Sequence, residues 1–170
     1  EDRSDETYLT AVEQAEINAT RARDLAYAPG GIGADGALAL MRSDPLTQGP
    51  LLFNRHCVMC HTHTDKEGHG LTSDDPPVAS NLYGFADRAW IAGLLSPEHI
   101  GTPAYFGATP YKEGDMVSWV DDTVASMSEE EKADLKKVVV ALSAEAQLPS
   151  QESLDARDSA VIEEGRTLLS

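Results

Sequence analysis

An all-α fold is predicted for this chain by three observations. No run of residues alternates apolar and polar with period two. Two stretches, 6–27 and 128–142, repeat apolar side chains at steps of three and four. The segments between them are polar and rich in Gly and Pro, the mark of long loops.

The elements follow in order. Residues 1–5 are charged and expected to fray. Residues 6–27 lack Gly and Pro, and Tyr8, Val12, Ala15, Ala19, Ala22 and Ala26 form a seam of mostly small side chains. Such a seam permits close approach but buries little area. The helix therefore either packs on its own domain or docks a partner subunit. Ala28-Pro29-Gly30-Gly31 ends it, and residues 34–43 are read as a short helical turn. Thr47 to Arg55 reads as a short helix, with Gly49 and Phe53 on one face, running into Cys57. His61 to Ser80 is a predicted loop. Asp87 is the expected N-cap of a helix carrying Trp90, Ile91, Leu94 and Leu95, which Ser96-Pro97 stops. Residues 100–115 return to loop. Ser128-Glu129-Glu130-Glu131 is a capping box, and Leu135, Val138, Val139 and Leu142 form the stripe of the helix behind it. Residues 147–156 read as a linker, and 157–169 as a last helical segment. The predicted organisation is a helical N-terminal extension at 1–43, a domain at 44–147, and a linker with terminal helix at 148–170 that could open a second domain.

The chain has 170 residues, with 29 acidic and 13 basic side chains and a formal charge of −16. That balance argues against nucleic acid, whose affinity comes mainly from Lys and Arg displacing counterions. It argues equally against an anionic membrane surface. The apolar runs are too short for a membrane span of about 20 residues. The polar, acidic start carries no secretory signal, so any leader is expected to have been removed.

Both cysteines lie in one pentapeptide, Cys57-Val58-Met59-Cys60-His61. A dithiol redox site would want a βαβ context, and none is visible. Zinc needs four ligands. His63 and His69 are at hand, but only two residues separate Cys60 from His63, against about a dozen in the usual finger. A Cys57–Cys60 disulfide would close too small a loop to constrain much. The spacing fits c-type haem attachment best. Two thiols can add across the vinyl groups of one macrocycle, and the adjacent imidazole can reach the iron.

The run Gly49-Pro50-Leu51-Leu52-Phe53-Asn54-Arg55-His56-Cys57-Val58-Met59-Cys60-His61 resembles the opening of a class I cytochrome c domain. The resemblance continues through Asn81-Leu82-Tyr83-Gly84, Trp90 and its helix, Gly114-Asp115-Met116 and the capped last helix, over roughly residues 45–147. It implies a cytochrome c-like fold with long loops around one covalent haem. Cys57 and Cys60 would hold the haem and His61 would ligate its iron. Met116, taken to sit in a loop, would be the distal ligand. His99, Met127 and an open distal site are the alternatives. A proline carbonyl would accept from the His61 ring, and Pro77 is the nearest in character. Leu82 would pack on the haem face. Trp90, Tyr83 and Tyr105 would reach the propionates, or else serve as core aromatics. His/Met ligation raises the potential and leaves no position for substrate, which favours electron transfer over catalysis.

Residues 44–120 hold nine acids and four bases, and the flanks hold twenty and nine. The excess acidity either solvates the surface or forms a docking field for a basic redox partner. Gly165-Arg166-Thr167-Leu168-Leu169 echoes Gly49-Pro50-Leu51-Leu52-Phe53, consistent with a piece of a longer multi-haem protein. The extensions are similar to cytochrome c portions of bacterial respiratory complexes, some attached to a cytochrome b-type membrane subunit. Electron transport in the periplasm is the expectation. The alternatives are a peroxidase-like haem enzyme or sensor, and an electron-entry module fused to a catalytic domain.

Overall fold

The computed structural model describes residues 5–170; of the fraying expected for residues 1–5, positions 1–4 lie outside the described residues, and Asp5 instead serves as a helix cap. The chain is mostly helical and divides into two compact units, residues 1–56 and 57–170.

The first unit holds α1 (Glu6–Tyr27), α2 (Gly36–Ser43) and α3 (Pro45–His56). Asp5 caps α1 by accepting from the Tyr8 amide at 3.1 Å. No residue of α1 is buried, as its alanine seam would suggest. What ties α1 down is a long-range ion pair. The Arg21 guanidinium donates twice to the Asp44 carboxylate, through Nη2 at 2.6 Å and Nε at 3.0 Å. The same carboxylate accepts from the Thr47 amide and hydroxyl at the start of α3. Asp44 thus caps α3, which starts two residues before the predicted Thr47, with Pro45 in the first helical position, where its missing N–H costs nothing. Arg21, seconded by Thr47, holds the Asp44 carboxyl well below the usual carboxylate range.

The second unit begins at the first cysteine. A two-residue antiparallel pairing of β1 (His63–Thr64) with β2 (Gly70–Leu71) interrupts the predicted loop. It is too short to show period two in the sequence. Next come α4 (Arg88–Leu94), α5 (Asp115–Trp119), a π-helical turn at Val120–Val124, and α6 (Glu129–Glu145). Asp87 caps α4 through the Trp90 amide at 2.6 Å. Ser128 and Glu131 close the capping box of α6 reciprocally. The π turn brings Val120 and Val124 inward together. With Ile100 and Val117 they form the core cluster, against which Phe106, Met116, Met127 and Leu135 are partly buried.

Two expectations change at the C-terminal end. The predicted linker contains a helix, α7 (Glu152–Arg157), followed by α8 (Ser159–Leu168), which packs along α6. Gly165 permits that approach: a Cβ there would overlap the Lys137 carbonyl and the Ala141 side chain. Arg88, at the start of α4, bonds Asp155 at 2.9 Å and also Asp158. Arg157 and Arg88 together lower the Asp158 carboxyl to about 2. These bonds span about seventy positions, so no local pattern announces them.

Two predictions follow from this packing. Gly165→Val forces a branched side chain against the α6 backbone and should cost about 1–3 kcal/mol in urea unfolding. Asp158→Asn should lower the melting temperature at pH 7. A carboxyl with a depressed folded pKa stabilises above its unfolded value, 3.8, and loses that contribution as pH falls toward about 2. The gap in melting temperature between wild type and Asp158→Asn should therefore be full above pH 4 and close on acidification through that window.

Candidate functional site

The motif folds as a tight turn. The Cys57 carbonyl accepts from the Cys60 amide at 3.0 Å and from the His61 amide at 2.9 Å. Both thiols are free; Cys57 is half-buried and Cys60 exposed. The turn is then laced to a segment some twenty residues on. The Cys60 carbonyl accepts from the Val78 amide at 3.1 Å and the Ala79 amide at 2.9 Å, and the Thr62 carbonyl accepts from the Leu82 amide at 2.8 Å.

This lacing brings the Ser80 carbonyl to 2.8 Å from His61 Nδ1. A carbonyl only accepts, so Nδ1 carries the proton and Nε2 the lone pair. A neutral ring in this contact has one nitrogen committed and the other offered. The acceptor is not Pro77, as expected from sequence. The Val78 and Ala79 amides are turned onto Cys60, and the chain comes alongside the ring only at residue 80. A backbone carbonyl has no side-chain signature, so Ser80 carried no signal in the sequence beyond its place ahead of Asn81-Leu82.

Asn81 ties this segment to its surroundings. Its Oδ1 accepts from the Thr64 amide at 3.1 Å and the Tyr83 amide at 3.0 Å. Its Nδ2 donates to the Thr64 carbonyl at 2.7 Å and lies 3.2 Å from Thr64 Oγ1. The Asn81 backbone N–H donates to the Ala104 carbonyl, and its own carbonyl accepts from Trp90 Nε1 at 2.9 Å.

Of the two roles open to the aromatic residues, Trp90 and Tyr105 make contacts within the protein. Trp90 spends its indole N–H on Asn81, and buried Tyr105 donates its hydroxyl to the Trp90 carbonyl at 2.9 Å. The two rings lie 5.5 Å apart, and Phe85 meets Trp90 edge-on at 4.8 Å. Burial raises the Tyr105 hydroxyl above its ordinary pKa. Gly93 makes room for that hydroxyl, which a Cβ would overlap. Tyr83 is exposed, its ring edge-on to His63 at 5.4 Å. Leu82 is half-buried.

Met116 lies in the first turn of α5, not in a loop. The Ser118 amide donates to the Gly114 carbonyl at 3.0 Å, which starts the helix before the methionine. The side chain is half-buried against the Ile100–Val124 cluster. His99 is exposed, its Nδ1 2.9 Å from Ser96 Oγ. Among the described residues no three side chains of His, Cys, Asp and Glu converge as a metal-binding group. Cys57 and Cys60 therefore do not join His63 or His69 in a zinc-type cluster.

The unequal exposure of the thiols gives a direct test. In chain carrying no prosthetic group, a small alkylating reagent should label Cys60 faster than Cys57, by several-fold as read by mass spectrometry of timed digests. Comparison with protein-family models, with curated proteins and with solved structures yields no match to this chain.

Proposed function

We propose that the chain is a c-type cytochrome domain that carries electrons through one covalently bound haem. The observation that carries the reading is the 2.8 Å contact between His61 Nδ1 and the Ser80 carbonyl, directly after Cys57-x-x-Cys60. The donor set fits the group. Two free thiols on one turn supply paired thioether links. The adjacent ring has its Nε2 lone pair selected for iron. Apolar side chains on this unit, among them Met59, Phe85, Tyr111 and Trp119, are exposed, so there is area for a large flat apolar group to cover. When bound, haem supplies a one-electron couple at its iron.

The residues of the chain do the rest. Cys57 and Cys60 anchor the group and fix which edge of it faces the turn. His61 is the proximal ligand, with Ser80 setting its orientation and basicity. Met116 is the proposed distal ligand. A neutral thioether favours reduced iron and raises the potential relative to a second imidazole. Held by both His61 and Met116, the iron would supply electron transfer rather than chemistry on a substrate, which favours a carrier over a peroxidase-like or sensor role. Leu82 is proposed to contact the haem face.

The excess acidity suits encounter with a redox protein that presents a basic face, raising association rate more than affinity. We place this step in a respiratory chain on the oxidising, periplasmic side of a bacterial membrane, with a cytochrome b-type membrane subunit as a partner. Among the described residues no helix is long and apolar enough to cross a membrane.

Production alongside a haem-attachment system tests the reading. The wild type should carry one haem that survives acid extraction, and the double variant Cys57→Ala/Cys60→Ala should release it. Met116→Ala should abolish the sulfur-to-iron charge-transfer band of the ferric form and open the ferrous form to carbon monoxide. It should also shift the redox equilibrium more than about tenfold toward ferric iron, about 59 mV for one electron. An unchanged spectrum in Met116→Ala would assign the distal position to another residue.

A further inference from the structure

We infer that Asn81 is the positioning residue that sets the His61 ring, acting through the neighbouring Ser80 carbonyl. The inference deepens the reading of His61 as proximal ligand and rests on it for its redox consequence.

The argument begins with what a backbone carbonyl needs in order to hold an imidazole. Ser80 makes its contact with its own main chain, so its side chain contributes nothing to the geometry. Only the path of residues 78–82 can fix where the oxygen sits. On the N-terminal side the Val78 and Ala79 amides grip the Cys60 carbonyl. On the C-terminal side the grip is Asn81. Its side-chain amide mimics a peptide group facing Thr64: it takes the Thr64 amide at Oδ1 and gives Nδ2 to the Thr64 carbonyl. This reproduces the two-way exchange of an antiparallel pair. Thr64 is itself in β1, three residues past His61, so the ring and the carbonyl are referenced to one short piece of chain.

Two more bonds remove the remaining freedom. The Asn81 N–H is held by Ala104, and the Asn81 carbonyl is held by the Trp90 indole. The peptide that carries the Ser80 oxygen is the one whose nitrogen is the Asn81 N–H. That bond to Ala104 therefore sets the tilt of the same peptide plane whose oxygen meets His61. Losing the side chain removes the bonds to Thr64 and Tyr83 and leaves only these main-chain bonds to hold the plane, which should weaken the Nδ1 contact and let the ring turn.

The consequence for a bound iron has a definite sign. A strong Nδ1–H···O bond makes the imidazole a better electron donor and favours the oxidised metal. Loosening it should favour the reduced metal.

The experiment reads the ring proton and the potential in wild type, Asn81→Ala and Asn81→Asp. Asn81→Asp can keep both acceptor bonds at Oδ1 but replaces the donation to the Thr64 carbonyl with an oxygen–oxygen contact, and it is the variant to follow where Asn81→Ala fails to fold. Nitrogen-edited NMR of the histidine rings follows solvent exchange of the His61 Nδ1 proton, in haem-loaded and haem-free chain alike. Asn81→Ala should speed that exchange at least about tenfold and shift the ferric–ferrous equilibrium several-fold toward ferrous iron. Asn81→Asp should give an intermediate exchange rate. Ile162→Val, a core change on α8, should lower stability while leaving exchange and potential where they are.

Unchanged ring-proton exchange in a folded Asn81 variant would overturn the positioning role, as would an equal change in Ile162→Val. A wild type that takes up no haem, but whose His61 proton is protected and released by the Asn81 variants, would support the role of Asn81 and sink the haem reading instead.

Discussion

Much of the described site depends on one carbonyl oxygen, that of Cys60. It accepts from two successive amides, Val78 and Ala79, and so folds a polar loop of some fifteen residues back onto the cysteine turn. Without that grip Ser80 would not reach His61, and the ring would be free to choose its tautomer. With it, a chain that has no extended sheet in this region behaves locally as though it had one. Backbone amides of residues 78–82 donate to carbonyls of residues 60–62, and the Asn81 side chain fills the place of a missing peptide group opposite Thr64. The geometry costs little in residues and is over-determined, which is what a ligand needs if its orientation is to survive thermal motion.

Packing elsewhere in the second unit follows a related logic, in which few apolar contacts are supplemented by directed polar ones. The buried cluster of Ile100, Val117, Val120 and Val124 is small. The helices around it are joined by the Arg88 bonds to Asp155 and Asp158 and by the close approach of α8 to α6 at Gly165. The first unit relies still more on charge, since α1 buries no residue and is held by Arg21 on Asp44. A covalent prosthetic group, as proposed, would add a large apolar surface to a unit that has little core of its own. That is consistent with reading the cysteine turn as an attachment site.

Acidity also takes on a sharper meaning. Several carboxylates are committed to structure: Asp44 and Asp87 as caps, Asp155 and Asp158 as anchors of α7 and α8, and Glu131 within its capping box. Others, such as Glu129, point into solvent. The proposed docking field is built from these solvent-facing groups, whose effect on a partner is long-ranged and weakened by salt.

The sequence by itself determined the features that physics makes local. Asp87 and Ser128 each cap a helix within three residues of themselves, and each lies where the spacing predicted; Asp5, read as part of a frayed end, caps α1 in the same way. The mostly helical class, the length of α1 and the clustering of both thiols with His61 were legible for the same reason, whereas the predicted stripe of α6 is not its buried face: Leu142 is exposed, and Val139, Ala141 and Ser143 are buried. Tertiary structure alone decided what depends on distant partners. Ser80 meets His61 across nineteen positions through an atom every residue possesses, so composition could not single it out. Arg88 finds its carboxylates about seventy positions away, in a stretch that read as linker until α4 gave α7 something to bind. Trp90 and Tyr105 could be read from sequence either as reaching a ligand or as core aromatics, and folding supplies both donors with backbone carbonyls.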